Sequence, residues 1–148
     1  MSTAPEVRPN IDETERGFQV SLPATDIAVS IARSMVRRIT TFASDDAESS
    51  FMVALTEVVG NAVDEHRTIG VTAPVIMVVT YEGPEVIRII DAGRGIRSDV
   101  ETAPPSDASD ESGRGLALAR AFVPDMDFSV TRSGTTVTLP LAGLGIIR

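Results

Sequence analysis

The sequence predicts an α+β fold, a two-layer sandwich in which a mixed, mostly antiparallel sheet carries helices on one face. Three observations predict it. The apolar stretches that read as strands are joined by short turns, Glu82 to Glu85 and Ser133-Gly134, as hairpin strands are. The helical stretches cluster in sequence, Ala28 to Ile39 and Ser44 to His66 with no strand expected between them. A doubly wound parallel sheet needs strict strand–helix alternation, because each parallel pair requires a long crossover.

Each element has its own signal. Residues 1–16 are polar, contain Pro5 and Pro9 and show no period, so they are expected as a disordered tail before a single domain at 17–148. Phe18 to Leu22 alternates apolar and polar as a half-buried strand does. Pro23 to Asp26 reads as a turn into a helix, with Thr25 or Asp26 as its cap. Ala28, Ile31, Ala32, Met35 and Ile39 recur at helical spacing. Arg33, Arg37 and Arg38 lie off that stripe, as a solvated face or a docking surface would. Ser44-Asp45-Asp46 opens a second helix that runs to about His66.

After Pro74, Val75 to Tyr81 is a strongly apolar strand, and Val86 to Ile90 returns beside it. The stretch 98–112 holds Asp99, Glu101, Asp107, Asp110 and Glu111, two prolines and no basic residue, and is expected as a surface loop. A short helix follows from Leu116 to about Val123, then strands from Asp127 to Arg132 and from Thr135 to Leu141.

Composition narrows the chemistry. A chain of 148 residues suits one domain, and 43% hydrophobic residues can build a core without disulfides. The absence of Cys excludes a zinc ribbon and a thiol nucleophile, and a single His excludes a His-rich metal site. A net charge of −8 argues against direct nucleic-acid binding, which needs a basic surface. No apolar run approaches the roughly 18 residues of a membrane span, and 1–16 has no apolar signal core, so a cytoplasmic protein is expected.

Four short segments can carry chemistry. With Leu55 at zero and about 100° per residue, Phe51, Leu55, Val58, Val59 and Ala62 share one side of the second helix. Glu57 and Asn61 fall together at about 200° and 240°, one turn apart and beside Gly60. An acid and an amide therefore share a face, which alone fits a solvated surface as readily as a site. Asp91-Ala-Gly93-Arg-Gly95 follows directly on an apolar strand. A strand-end carboxylate can accept from an exocyclic amine, and glycines admit a flat ligand close to the backbone; a plain glycine turn gives the same pattern. Ser112-Gly113-Arg114-Gly115 at a helix start offers amides and a guanidinium to an anion, or is a hinge. Gly134-Thr-Thr136 enters the last strand.

In this order the segments resemble the GHKL (histidine-kinase-like) ATPase superfamily and its Bergerat ATP-binding fold. Within it they are similar to the small anti-sigma-factor serine/threonine kinases of bacterial partner switching. Leu55-Thr-Glu-Val-Val-Gly-Asn-Ala62 matches the N box, Ile90-Asp-Ala-Gly-Arg-Gly-Ile96 the first glycine box and Ser112-Gly-Arg-Gly-Leu116 the second. The resemblance covers 18–141.

The resemblance implies ATP and Mg²⁺ as cofactors. Asn61 would hold the Mg²⁺ that bridges the phosphates, and Glu57 would be the catalytic base for a serine hydroxyl. Asp91 would bind the adenine amine, with Thr136, or less directly Thr135, nearby through water. Gly93 and Gly95 would shape the base pocket, Gly113, Arg114 and Gly115 would meet phosphate, and 98–112 would be a lid. The implied protein binds a sigma factor, phosphorylates an anti-sigma antagonist, and forms a homodimer. An unpaired strand at Phe18 to Leu22 could supply the dimer contact.

The match departs from the family in three places, one of them Arg94 and Arg97, which bracket the first glycine box and could replace lid charge or face water. Where many members carry a histidine four residues after the N-box asparagine, this chain has Glu65, and His66 follows. On the wheel His66 falls near about 20°, with Leu55, as a packed residue does. The lid segment is acidic, with Glu111 just before Ser112. These departures sustain an alternative, a nucleotide-binding module that sequesters a sigma factor or another regulator with little kinase activity.

Overall fold

A computed structural model describes residues 10–14, 17–81, 83–93 and 111–148, with the side chains of 10–14 and 111–115 outside that description. In chain order the elements are β1 (Asn10–Thr14), β2 (Gly17–Leu22), α1 (Ile27–Ile39), β3 (Thr40–Phe42), α2 (Asp45–Ile69), β4 (Val75–Thr80), β5 (Val86–Asp91), α3 (Glu111–Phe122), β6 (Asp127–Thr131), β7 (Gly134–Pro140) and β8 (Gly145–Ile147).

The main sheet has six strands in the order β1-β2-β4-β5-β7-β6. Every pairing in it is antiparallel among the described residues, so the expected mixed sheet has no parallel pair. Alternation along the strands buries Val20, Leu22, Val75, Met77, Val79, Ile87, Ile89, Val137 and Leu139 on one face. Residues of α1, α2 and α3 close over that face in one core. The opposite face keeps Ser21, Ile76, Val78, Arg88, Ile90, Thr136 and Thr138 only half-buried.

Helix α1 buries Ala28, Ala32 and Val36, small or branched residues that let it lie close to its neighbours, with Ile31, Met35 and Ile39 packed at the margin. Asp26 stands at its N-cap position without a capping bond. Its carboxylate accepts instead from Arg67 Nη1 at 2.8 Å.

Helix α2 is the spine of the helical layer. Ser44 caps it, its hydroxyl accepting from the Ala47 N–H at 3.0 Å. Asp45, Asp46 and Glu48 place negative charge in the first turn, where the helix dipole favours it. Gly70, with φ of 75°, ends it. The expected apolar side is buried, and Met52, Ala54, Val63 and His66 are buried as well. That wider stripe follows from packing against both α1 and α3.

Several expectations are corrected. The tail assigned to 1–16 contains a strand: Asn10–Thr14 pairs with β2, Thr14 opposite Gly17, the spacing of a two-residue hairpin. Residues 1–9 lie outside the described part. The strand at Phe18 to Leu22 is therefore not an edge, since it pairs with β1 on one side and β4 on the other. Helix α3 begins at Glu111, ahead of the expected Leu116. Of the lid segment 98–112, only Glu111 and Ser112 fall within the described residues, and both are helical.

A second, two-stranded ribbon pairs β3 with β8, Thr40 opposite Ile147. Three-residue strands are too short to show a period. Their tie extends to the β4–β5 turn, where the Ile147 N–H donates to the Glu85 carboxylate and the Leu141 N–H donates to the Glu85 carbonyl.

The two caps give a direct test. Ser44→Ala removes a bonded cap and is expected to lower stability by about 1 kcal/mol in urea unfolding. Asp26→Ala removes only an exposed ion pair, and its midpoint is expected to move less than that of Ser44→Ala.

Candidate nucleotide site at the end of β5

The polar face of α2 is a line of half-buried residues one turn apart: Glu57, Asn61 and Glu65. Eight residues at 1.5 Å each put roughly 12 Å between the first and the last. Glu57 lines a groove of about 530 Å³ between α1 and α2, together with Arg33, Arg37, Glu48 and Thr56. In it Arg37 Nε donates to Glu48 Oε1 at 3.1 Å.

The far end of the line meets the turn after β5. A Cβ built on Gly93 would stand 2.3 Å from Glu65 Cγ and 3.0 Å from Asp91 Oδ1. With no side chain at Gly93, Glu65 can lie directly over the turn. His66, the next residue on α2, is fully buried at 0% exposure. Its Nε2 accepts from the Ala92 N–H at 2.8 Å, and its Nδ1–H donates to the Ala73 carbonyl at 2.9 Å.

Asp91 closes β5 opposite Thr135 on β7. Its Oδ1 accepts from the Gly93 N–H at 2.9 Å and from the Thr135 N–H at 3.3 Å. Burial pushes the Asp91 carboxyl above its ordinary range, against the opposing pull of those two N–H donors, while Glu65 adds to the rise. Gly134, with φ of 149°, begins β7 beside this turn, and a Cβ there would stand 1.8 Å from the Asp91 carbonyl oxygen.

The sequence-derived residues divide as follows. The structure brings Glu65 of α2 beside Asp91 and Gly93, and His66 onto Ala92. Thr136 pairs with Ile90, so it lies on the opposite face of the sheet from Asp91, while Thr135 shares the helix-covered face. Counting back by twos from the buried Leu139 and Val137 would have selected Thr135 from sequence alone. Gly113, Arg114 and Gly115 lie inside the first turns of α3, not ahead of it. Gly95 lies outside the described residues. Sequence reasoning placed His66 in the core but missed its bond to the turn, for which a helical wheel carries no signal.

The arginines of α1 line a groove of about 620 Å³, in which Arg33, Arg37 and Arg38 are joined by Arg148. The Arg148 guanidinium donates to the Arg37 carbonyl at 3.0 Å. No group of three or more His, Cys, Asp or Glu side chains suited to a metal occurs among the described residues. No described helix is long and apolar enough to cross a membrane.

Residues 22–141 match the model of the histidine kinase-like ATPase domain. The chain belongs to that family. Comparison with curated proteins finds no match. Among solved structures, this ATPase domain is similar to the RsbU and RsbW domains of Rv1364c from Mycobacterium tuberculosis, with a TM-score of 0.58 and 21% identity over 84% of the chain. It spans 31% of that longer chain. It is also similar to the histidine kinase domain of the blue-light activated kinase EL346 from Erythrobacter litoralis, with a TM-score of 0.54 and 16% identity, covering 91% of this chain and 69% of that one. At these identities the likeness is one of fold.

Two substitutions test the geometry of the ATPase domain. Gly134→Ala drives a methyl into backbone and is expected to cost about 3 kcal/mol or more, read from urea midpoints. For Asp91→Asn the sign follows from burial. A carboxyl whose pKa is raised on folding supports the fold when protonated and loses that support as pH rises through its folded value. Asp91→Asn is therefore expected to be more stable than wild type at neutral pH, with the lead closing as pH falls into the carboxylate range.

Proposed function

We propose that this ATPase domain binds Mg·ATP and transfers the γ-phosphoryl group to a serine of an anti-sigma antagonist, and that it also binds the sigma factor. The observation that carries the reading is the line Glu57–Asn61–Glu65 ending on the Asp91–Gly93 turn. Its length of about 12 Å is of the order of the distance from the base to the terminal phosphate of a nucleoside triphosphate. The N-box and glycine-box resemblance and the family match over 22–141 support it.

In this reading the adenine amine donates to Asp91. Both backbone donors use Oδ1, so Oδ2 is the oxygen the amine meets. Thr135, on the same face, is better placed than Thr136 to take part. Gly93 would let the base approach the turn beside Glu65, and Gly95 would extend that pocket. Gly113, Arg114 and Gly115 would meet the phosphates at the start of α3, where helix amides favour anions.

Magnesium prefers oxygen ligands and keeps several waters, so one Asn61 oxygen beside phosphate oxygens suffices. When bound, the metal neutralises phosphate charge. Glu57 accepts the serine proton as that oxygen bonds to the γ-phosphorus and ADP leaves. Such transfer depends on positioning and electrostatics more than on covalent catalysis.

The segment 98–112 would act as the lid. A homodimer would use the β1 edge of the sheet, and the arginine groove of α1 offers positive potential to an acidic partner in a chain of net charge −8. A cytoplasmic location goes with these partners.

A second reading rests on Glu65, which puts a carboxylate against the base pocket where many family members have histidine. In it the domain binds nucleotide and sequesters a sigma factor with little phosphotransfer.

Labelled ATP and purified antagonist separate the two. Glu57→Gln is expected to keep ATP affinity within about twofold and to slow transfer by roughly 10² or more. Asn61→Ala is expected to lose both Mg·ATP binding and transfer. Transfer that survives both substitutions would overturn the assigned roles, and ATP binding without any transfer would favour the second reading.

A further inference from the structure

His66 has no part in the roles above, yet its setting is not that of a packing residue. A buried polar ring costs free energy unless its polar atoms are bonded, and both nitrogens of this fully buried imidazole are. Because Nε2 accepts, the proton resides on Nδ1, and the ring is held as one neutral tautomer.

The two partners belong to different parts of the chain. Ala73 lies in the connection between α2 and β4, and its bond ties that connection back to the helix. Ala92 lies between Asp91 and Gly93. The Asp91 carboxylate takes the Gly93 N–H at 2.9 Å but the Thr135 N–H only at 3.3 Å. A shorter bond ties the turn to α2, from the Ala92 N–H to His66 Nε2 at 2.8 Å. The 91–92 peptide cannot rotate without breaking it, and a turn released there no longer holds the Gly93 N–H in place on Asp91 Oδ1.

We infer that His66 is a positioning residue for base recognition: through the Ala92 N–H it fixes the turn that aims the Asp91 carboxylate, and so sets the preference for a purine bearing an exocyclic amine. The inference rests on the ATP-binding reading above. A site built around one hydrogen bond rejects a ligand lacking the donor only if the acceptor stays in place. His66 holds it from α2 through the Ala92 N–H.

Two substitutions divide the bonds. The Asn amide reaches about as far as Nδ1, so His66→Asn can keep the bond to Ala73 but not that to Ala92. The Gln amide reaches about as far as Nε2, so His66→Gln can still accept from Ala92. The probes are ATP and inosine triphosphate, which carries a carbonyl in place of the amine, with affinities measured by calorimetry. Wild type and His66→Gln are expected to prefer ATP. His66→Asn is expected to lose about tenfold of that preference through weaker ATP binding, with inosine triphosphate changed by no more than about twofold.

Hydrogen exchange at the Ala92 amide without nucleotide provides a second readout, protected in wild type and His66→Gln and fast in His66→Asn. Full ATP preference in His66→Asn, an equal loss of both nucleotides in both variants, or an unprotected Ala92 amide in wild type would each overturn the inference. If wild type binds neither nucleotide, the ATP reading falls and the claim about selectivity falls with it. The exchange experiment still reports separately whether His66 holds the turn.

Discussion

The approach of α2 to the end of β5 is the constraint on which the site depends. Just beyond the strand end, Gly93 leaves room for the Glu65 side chain of α2 to lie against the turn. The contact is then fixed by His66, which joins helix, loop and turn through its two nitrogens. Gly134 extends the same logic to the neighbouring strand, whose backbone lies where a methyl would touch the Asp91 carbonyl. Two missing side chains and one buried ring thus decide where Asp91 stands relative to the polar face of α2.

Electrostatics sharpens the picture. Asp91 is held partly out of water, with Glu65 adding to the cost of its charge and two N–H groups relieving it. A hydrogen-bond donor from a ligand would relieve it further, since a buried acceptor gains most from a partner when water is excluded. The destabilised carboxylate and the candidate base pocket are therefore aspects of one arrangement. On the outer side of the helices the sign reverses, with four arginines lining a groove on an otherwise acidic chain.

The layers of the fold were legible because burial imposes periods. Val75 to Thr80 and Val86 to Asp91 alternate against a covered face, and the apolar stripe of α2 runs from Phe51 to Ala62 as the wheel requires. The site was legible in its parts, since Glu57, Asn61, Asp91 and Gly93 stand out as residue types at fixed spacings. What the sequence hid was pairing across distance. Nothing local marks Asn10–Thr14 as a strand, because its order comes from pairing with β2. The bond from His66 to Ala92 joins residues 26 positions apart and has no one-dimensional signature. Alternation puts Thr135 on the helix-covered face with Asp91, whereas motif matching drew attention to Thr136 on the other face.

The ribbon of β3 with β8 bears on how the chain reaches its native state. Thr40 waits for Ile147, and Ala43 waits for Leu144, whose carbonyl accepts its N–H at 2.8 Å. During vectorial synthesis the corner between the first two helices thus stays unfinished until the final strand has left the ribosome. Closing so long a loop is entropically slow. The central hairpins can form early from near neighbours, whereas the segment that sets how α1 enters α2 is among the last to lock.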